Sequence, residues 1–403
     1  MEKLIIFTFM LSLFLANVSA QLKVNPLGDI LIGGSASNFI GTTAGNIPVT
    51  FKVDNTLAGF TGSSAKTSVS FGYGASLGGY YNVAIGVEAF YSSGGSCNTA
   101  NGYRALYKND LGHYNTATGS SALQNNTGIP HTSAGYYNTA NGASALRYNS
   151  TGSGNTASGY QALYANYTGN GNTANGYYAL YSNTEGNFNT AIGMGADVSA
   201  NNLYNATAIG YGAVVDSSYH VRIGNSTVKK IGGHVNWSSI SDGRAKKNIQ
   251  ENVPGLSFIS RLKPVTYSLN LDVIDELERS DDPQINHFRD SIRNARSPEL
   301  KEIEAKARAD KEAIVYSGFI AQDVGKAAKS VGYDFSGVDI SEDGKGIAGI
   351  RYAEFVVPLV KAVQELSEQN DRLQEQVNEL TELVNKLLGK ENSPDRLITL
   401  TEE

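Results

Sequence analysis

Asn98-Thr99-Ala100-Asn101-Gly102-Tyr103-Arg104-Ala105-Leu106 is one copy of a phrase that recurs from Phe71 to about Tyr219. It returns as Asn115-Thr116-Ala117-Thr118-Gly119, with Ser121-Ala122-Leu123 behind it, and again at Asn138, Asn155, Asn172 and Asn189. Weaker copies start at Asn82 and Ala206. Successive starts are mostly 16 or 17 residues apart, with one longer gap between Asn115 and Asn138 that contains Gly128-Ile129-Pro130. A fixed short period marks a solenoid. This one is too short for a helical hairpin but suits two short strands and two turns, one coil of a β-roll or β-helix.

Each residue type has a place in such a coil. Thr99 and its equivalents favour strand, while Ala100, Ala105 and Leu106 are small or apolar enough to face a narrow interior. Gly102 supplies a turn that a β-carbon would obstruct. Asn98, Asn115, Asn155 and Asn172, once stacked, are expected to form an amide ladder along the axis. A thin coil with so few large apolar side chains is marginal alone, so association with other copies, as a homotrimer, is expected.

Between residues 60 and 220 there are nine charged side chains, whereas 19 of the 23 tyrosines lie there. Tyr103, Tyr107, Tyr160, Tyr164, Tyr177, Tyr178 and Tyr181 recur at related places in the repeat. They read either as a stripe for a glycan or cell surface, or as rings that cover the strands and fill a seam between subunits. Glu88, Asp110, Glu185 and Asp197 are scattered acids rather than the carboxylate pair that glycoside hydrolysis needs. The Asn-Thr-Ala-x-Gly phrase resembles the head repeats of trimeric surface adhesins and of tail-fibre-like proteins, which implies a trimeric fibre.

Outside the repeat, Met1-Glu2-Lys3, an apolar run from Leu4 to Leu15 and Val18-Ser19-Ala20 read as a secretory signal peptide over residues 1–20. A secreted or cell-surface protein is expected, not lipidated at its N-terminus because Gln21 rather than cysteine follows Ala20. No later run is apolar for long enough to span a bilayer as a helix. Cys97 is the single cysteine, so no disulfide forms within the chain, and a small buried residue is the expectation for it. A net charge of -6 gives no electrostatic footprint for nucleic acid. No cofactor is expected, and His287 stands without companion ligands, so neither is a metal.

The repeat gives way to a charged, helix-rich region at Ser241-Asp242-Gly243-Arg244-Ala245-Lys246. Serine and lysine five residues apart across a glycine turn can come within hydrogen-bond reach, and a desolvated lysine can act as general base toward the hydroxyl. The same residues also suit an ordinary polar surface loop. Further on stand Leu262-Lys263-Pro264-Val265-Thr266-Tyr267, Gly318-Phe319-Ile320-Ala321-Gln322-Asp323-Val324 and Tyr352-Ala353-Glu354-Phe355. From Ser241 to about Leu388 the chain resembles the intramolecular chaperone domain of phage tail spikes and endosialidases, a family of self-cleaving serine peptidases. The resemblance implies that Ser241 attacks the peptide bond after Ile240 with Lys246 as base. Asp242, Gly243 and Arg244 are then the supporting loop.

The rest of this region reads as mixed α/β. Val265-Thr266-Tyr267 is an expected strand, Gly318-Phe319-Ile320-Ala321 a buried strand leading into a helix, and Asp272 to Glu312 a solvated helical insertion. From Val356 the apolar positions run Val356, Leu359, Val363, Leu366, Asn370, Leu373, Val377, Leu380, Val384 and Leu387, a coiled-coil heptad with one polar inner position. The spacing leaves the strand count open; the resemblance implies three.

The expected fold class is therefore a mainly β repeat fibre, a small mixed α/β chaperone domain and a C-terminal coiled-coil helix. The expected boundaries are 1–20 signal peptide, 21–70 N-terminal β segment, 71–219 fibre, 220–240 junction, 241–352 chaperone auto-peptidase, 353–389 coiled coil and 390–403 tail.

Overall fold

The structure is a computed structural model that describes residues 22–24, 30–32, 50–53, 56–61, 68–75, 78–234, 237–340 and 347–388. The expected signal peptide and C-terminal tail lie outside the described residues.

Every Thr-Ala-x triplet of the repeat forms a three-residue strand, and these stack in parallel and in register. Thr99 pairs with Thr116, Thr116 with Thr139, Thr139 with Thr156, and so on to Thr207. The alternation of a strand puts threonine outward and alanine inward, so Ala84, Ala100, Ala117, Ala140, Ala157, Ala174, Ala191 and Ala208 form a fully buried column. The result is a β-solenoid of about nine turns. Its 12-stranded sheet ends in an antiparallel hairpin, Thr50–Val53 and Thr56–Thr61, laid against Val69–Phe71.

Two inward columns complete the interior. Ala105, Ala122, Ala145, Ala162 and Ala179 line one, and the leucines that follow them, Leu106, Leu123, Leu146, Leu163 and Leu180, line the other. Those leucines sit at φ between 47° and 50°. A left-handed leucine costs about 1–2 kcal/mol, while its complete burial contributes about 1.5–3 kcal/mol, so the interior holds the turn in a shape that the backbone alone resists.

Glycine is obligatory after the strand. A β-carbon on Gly102 would lie 2.5 Å from the Gly119 carbonyl oxygen, and one on Gly159 would stand equally close to that of Gly176. Both residues have φ above +130°.

The expected amide ladder is present and longer than the four residues that suggested it. Asn82, Asn98, Asn115, Asn138, Asn155 and Asn172 each accept, through Oδ1, the backbone N–H of the next asparagine at 2.8–3.0 Å. A second ladder that the sequence reading missed runs through Asn109, Asn126, Asn149, Asn166 and Asn183, each Nδ2 donating to the Oδ1 before it. All of these side chains are buried, and their mutual bonds replace those that water would have made.

The second compact unit is mixed α/β. Phe258, Val324, Ala327, Ala328, Phe335 and Phe355 form its core. Val265–Tyr267 pairs antiparallel with Tyr316–Gly318, so the strand expected at Gly318-Phe319-Ile320-Ala321 lies two residues earlier and shares only Gly318 with it; Ile320 is exposed and helix Ala321–Ser330 follows. Helices Leu271–Leu277, Pro283–Asn294 and Pro298–Glu312 make up the charged insertion. One helix, Val356–Leu387, carries the heptads. Its start is fixed to the core, since Glu365 accepts the Leu256 N–H at 2.7 Å.

Pro283–Asn294 departs from the expectation of a wholly solvated insertion. Segment Arg279–Arg296 belongs to the solenoid's compact unit, and Ile285 is buried.

Candidate active site

The junction from Trp237 to Asp242 has no regular structure, and Ile240 is 91% exposed. Local bonds then close a short 3₁₀ turn, Gly243–Ala245. The Asp242 carboxylate caps it by accepting the Arg244 N–H at 2.9 Å and also pairs with the Arg244 guanidinium, Nη2 to Oδ2 at 2.6 Å. The guanidinium holds the Asp242 carboxyl below the ordinary carboxylate range. In turn, the carboxylate raises Arg244 above its usual value. Asp242 and Arg244 are thus committed to each other and to the turn.

One turn of 3₁₀ helix carries the chain back on itself, and the Lys246 N–H donates to the Gly243 carbonyl at 3.1 Å. The Lys246 side chain then reaches Ser241, its ammonium donating to Oγ at 3.0 Å. Ser241 and Lys246 are both exposed. For the pair to work as nucleophile and base the bond would have to reverse, with the serine hydroxyl donating to a neutral amine, and a neutral lysine needs screening from water.

The junction before Ser241 is held within the unit that contains the turn. Lys229 pairs with Asp310 at 2.9 Å, and Lys311 donates to the Val228 carbonyl at 2.9 Å. Arg308 bridges Asp272 and Asp275 at 2.8 and 2.9 Å, tying the insertion's first and last helices together.

In the solenoid the tyrosines form columns along the outside. Tyr91 and Tyr107, Tyr114 and Tyr137, and Tyr164 and Tyr181 stack at 5.2 Å between centroids, nearly parallel. Burial, reinforced by a hydrogen bond to Tyr148, pushes the Tyr164 hydroxyl up to about 12. Cys97 is half-buried at φ +61°, in the turn position that Tyr81, Tyr114 and Tyr137 also occupy, rather than in the interior. Glu88 pairs with Arg104 at 2.6 Å. Asp197 is buried in the solenoid, which separates it from the other three scattered acids.

Sequence reasoning counted Asp197 among the scattered acids without placing it in the interior, and it did not single out Arg289. Asp197 falls where the leucine column continues after Leu180, a break that the repeat alignment contains. Nothing in the sequence links it to an arginine 92 residues on.

Among the described residues no group of three metal-ligating side chains is close enough to hold an ion, and no helix is long and apolar enough to cross a membrane. No curated protein matches the chain significantly. Residues 241–333 match the family model described as chaperone of endosialidase, whose first matched position is Ser241, so the chain carries an endosialidase-type chaperone domain directly behind a parallel β-solenoid.

Proposed function

We propose that this is an exported, homotrimeric fibre protein whose C-terminal region assembles the trimer and then cleaves its own chain between Ile240 and Ser241. The observation that carries the reading is the 3.0 Å bond between Lys246 and Ser241 at the first residues of the chaperone domain.

Assembly starts at the tail. Val363, Leu366, Leu373, Val377, Leu380 and Val384 all stand exposed on one helix, an apolar seam at the spacing that partner helices cover in a coiled coil. A single coil of the solenoid buries its narrow interior only once a second coil stacks on it, so the first coils are costly to nucleate. Three chains already zipped at their C-termini meet at high effective concentration and start their first coils together.

Cleavage follows assembly. The dyad of one chain is open to water, and covering the junction by neighbouring chains supplies the desolvation that lysine needs as a base. Ser241 Oγ then attacks the Ile240 carbonyl carbon, giving its proton to Lys246. The tetrahedral adduct collapses to an ester as the C–N bond breaks and the Ser241 nitrogen takes a proton. Water hydrolyses the ester to an Ile240 carboxylate and a free Ser241 hydroxyl. The products are a fibre covalently separate from its scaffold, and a folded state that can no longer unwind by the route it used to form.

The decisive experiment compares the wild type with Ser241→Ala on a denaturing gel. Two bands in the wild type and one in the variant are expected; a single full-length band in both overturns the cleavage.

The tyrosine columns favour a surface-contact role for the same fibre. Stacked rings spend their faces on one another, and Tyr91, Tyr114 and Tyr137 among them are exposed, which suits edge and hydroxyl contact with a glycan or cell surface rather than stacking on sugar rings. A glycan array probed with the fibre tests this.

A further inference from the structure

The chain's two compact units do not divide at the scissile bond. Residues up to Asn225 share a unit with Arg279–Arg296, which lies beyond the cut, while Ser226–Glu278 joins the rest of the C-terminal region although residues 226–240 precede the cut.

Both exchanged segments are anchored by specific bonds. On the solenoid side, the column Leu106, Leu123, Leu146, Leu163 and Leu180 ends at Asp197, whose N–H bonds to the Ala213 carbonyl as that of Leu180 bonds to Ala196. A carboxylate at this place costs a buried charge, and burial raises Asp197 above the ordinary range. Ser182 Oγ donates to it at 2.6 Å, and the Val198 N–H at 2.9 Å. The countercharge comes from the helix Pro283–Asn294: Arg289 acts on Asp197 and donates through Nη2 to the Val198 carbonyl at 2.8 Å. Arg296 lies over the Tyr211 ring, 5.1 Å from its centroid.

On the other side, Ser226 bonds to Asp275 at 3.3 Å, Lys229 pairs with Asp310 and the Val228 carbonyl accepts from Lys311. Each of these three bonds, like that of Arg289 to Val198, joins a residue before the cut to one after it. Pulling the helix away would strand the Asp197 carboxylate in the interior with its principal countercharge gone, which is the costly way to break a buried pair.

We propose that scission at Ile240–Ser241 does not release the chaperone: the two products stay interlocked, each keeping a segment built into the other's compact unit, with Asp197 and Arg289 as the main latch. This rests on the cleavage reading, and it makes release a separate step from cutting.

The test uses the full chain. Cutting is read on a denaturing gel, and retention on a native size-exclusion column run with the same sample. The expected wild-type result is two bands on the gel and one co-eluting species on the column. Combined Arg289→Glu and Lys229→Glu should still be cut, yet its products should elute apart. If that variant misfolds by circular dichroism, Arg296→Ala with Lys229→Gln replaces it, and its products should part on dilution at a concentration at least about tenfold higher than the wild type's. Wild-type products that elute apart overturn the interlock, as do variant products held as firmly as the wild type's. Should the wild type remain uncut, a recognition sequence for a site-specific protease inserted between Ser238 and Ser239 makes the cut. The column then measures retention in the same way, so failure of cleavage and failure of retention are read separately.

Discussion

Lys246 lies 3.0 Å from Ser241 and both side chains face solvent, so the pair has the reach of a catalytic dyad without the cover that one needs. Lys246→Met keeps the length of the side chain and removes the base. Cleavage should slow by at least about 10²-fold, measured as the half-time for appearance of the two fragments. Lys246→Arg should be equally slow, because a guanidinium does not give up its proton. Cleavage by either variant at the wild-type rate would remove lysine from the mechanism.

If neighbouring chains supply that cover, disrupting the tail should stop cutting without touching the dyad. Leu380 is 65% exposed on the long helix and lies in the apolar seam. Leu380→Asp should convert trimers to monomers in light scattering and abolish fragment formation. Monomers that still cut would show that the dyad needs no partner.

The glycine column predicts a large local effect. In Gly159→Ala the new methyl must stand about where the Gly176 carbonyl oxygen already approaches to 2.5 Å, at a φ of +132° that L-residues avoid. A loss of about 3 kcal/mol or more is expected, read as a lower midpoint in denaturant. Gly195→Ala has open space within 4 Å and should cost less, leaving only its positive φ to resist.

Asn155 carries the same argument for polar groups. Its Oδ1 accepts the Asn172 N–H at 2.9 Å, and its Nδ2 donates to the Gly169 carbonyl at 2.8 Å. Asn155→Leu matches its size roughly but strands the Asn172 N–H in the interior, at about 1–3 kcal/mol, while the Gly169 carbonyl keeps its bond from Asn166 Nδ2 at 2.9 Å. Thermal unfolding should report the loss.

Asp197 sets a pH dependence. Burial raises its folded value above that of the unfolded chain, against the lowering influence of Arg289 and Ser182. The native state therefore binds more protons across the window from the ordinary carboxylate value up to the raised one, and its contribution is greatest below that window and falls as pH rises through it. Asp197→Asn should flatten the slope of melting temperature against pH in that range. An unchanged slope would place the titration elsewhere.

Much of this architecture was legible in the residues because the repeat states its own register. Asn98 and Asn115 mark successive coils, and a period too short for helices leaves little but stacked strands. Ser241 and Lys246 were legible for a related reason: their spacing is local, and one short turn suffices to join them. Asn109 and Asn126 escaped notice because their neighbours vary while only the asparagine returns. Arg289 was hidden more deeply, since a latch between distant segments leaves no periodic trace, and a charged helix such as Pro283–Asn294 reads as solvated until its partner is placed beside it.

The coil between Asn115 and Asn138 is longer than its neighbours, yet the Asn138 N–H still meets Asn115 Oδ1 at 2.8 Å and Thr116 still pairs with Thr139. Surplus residues bulge sideways around Gly128 and leave the stack undisturbed. The rod therefore behaves as a ruler with side ports: whole repeats set its length in steps of about 4.8 Å, and insertions can vary what it displays without changing how far it extends.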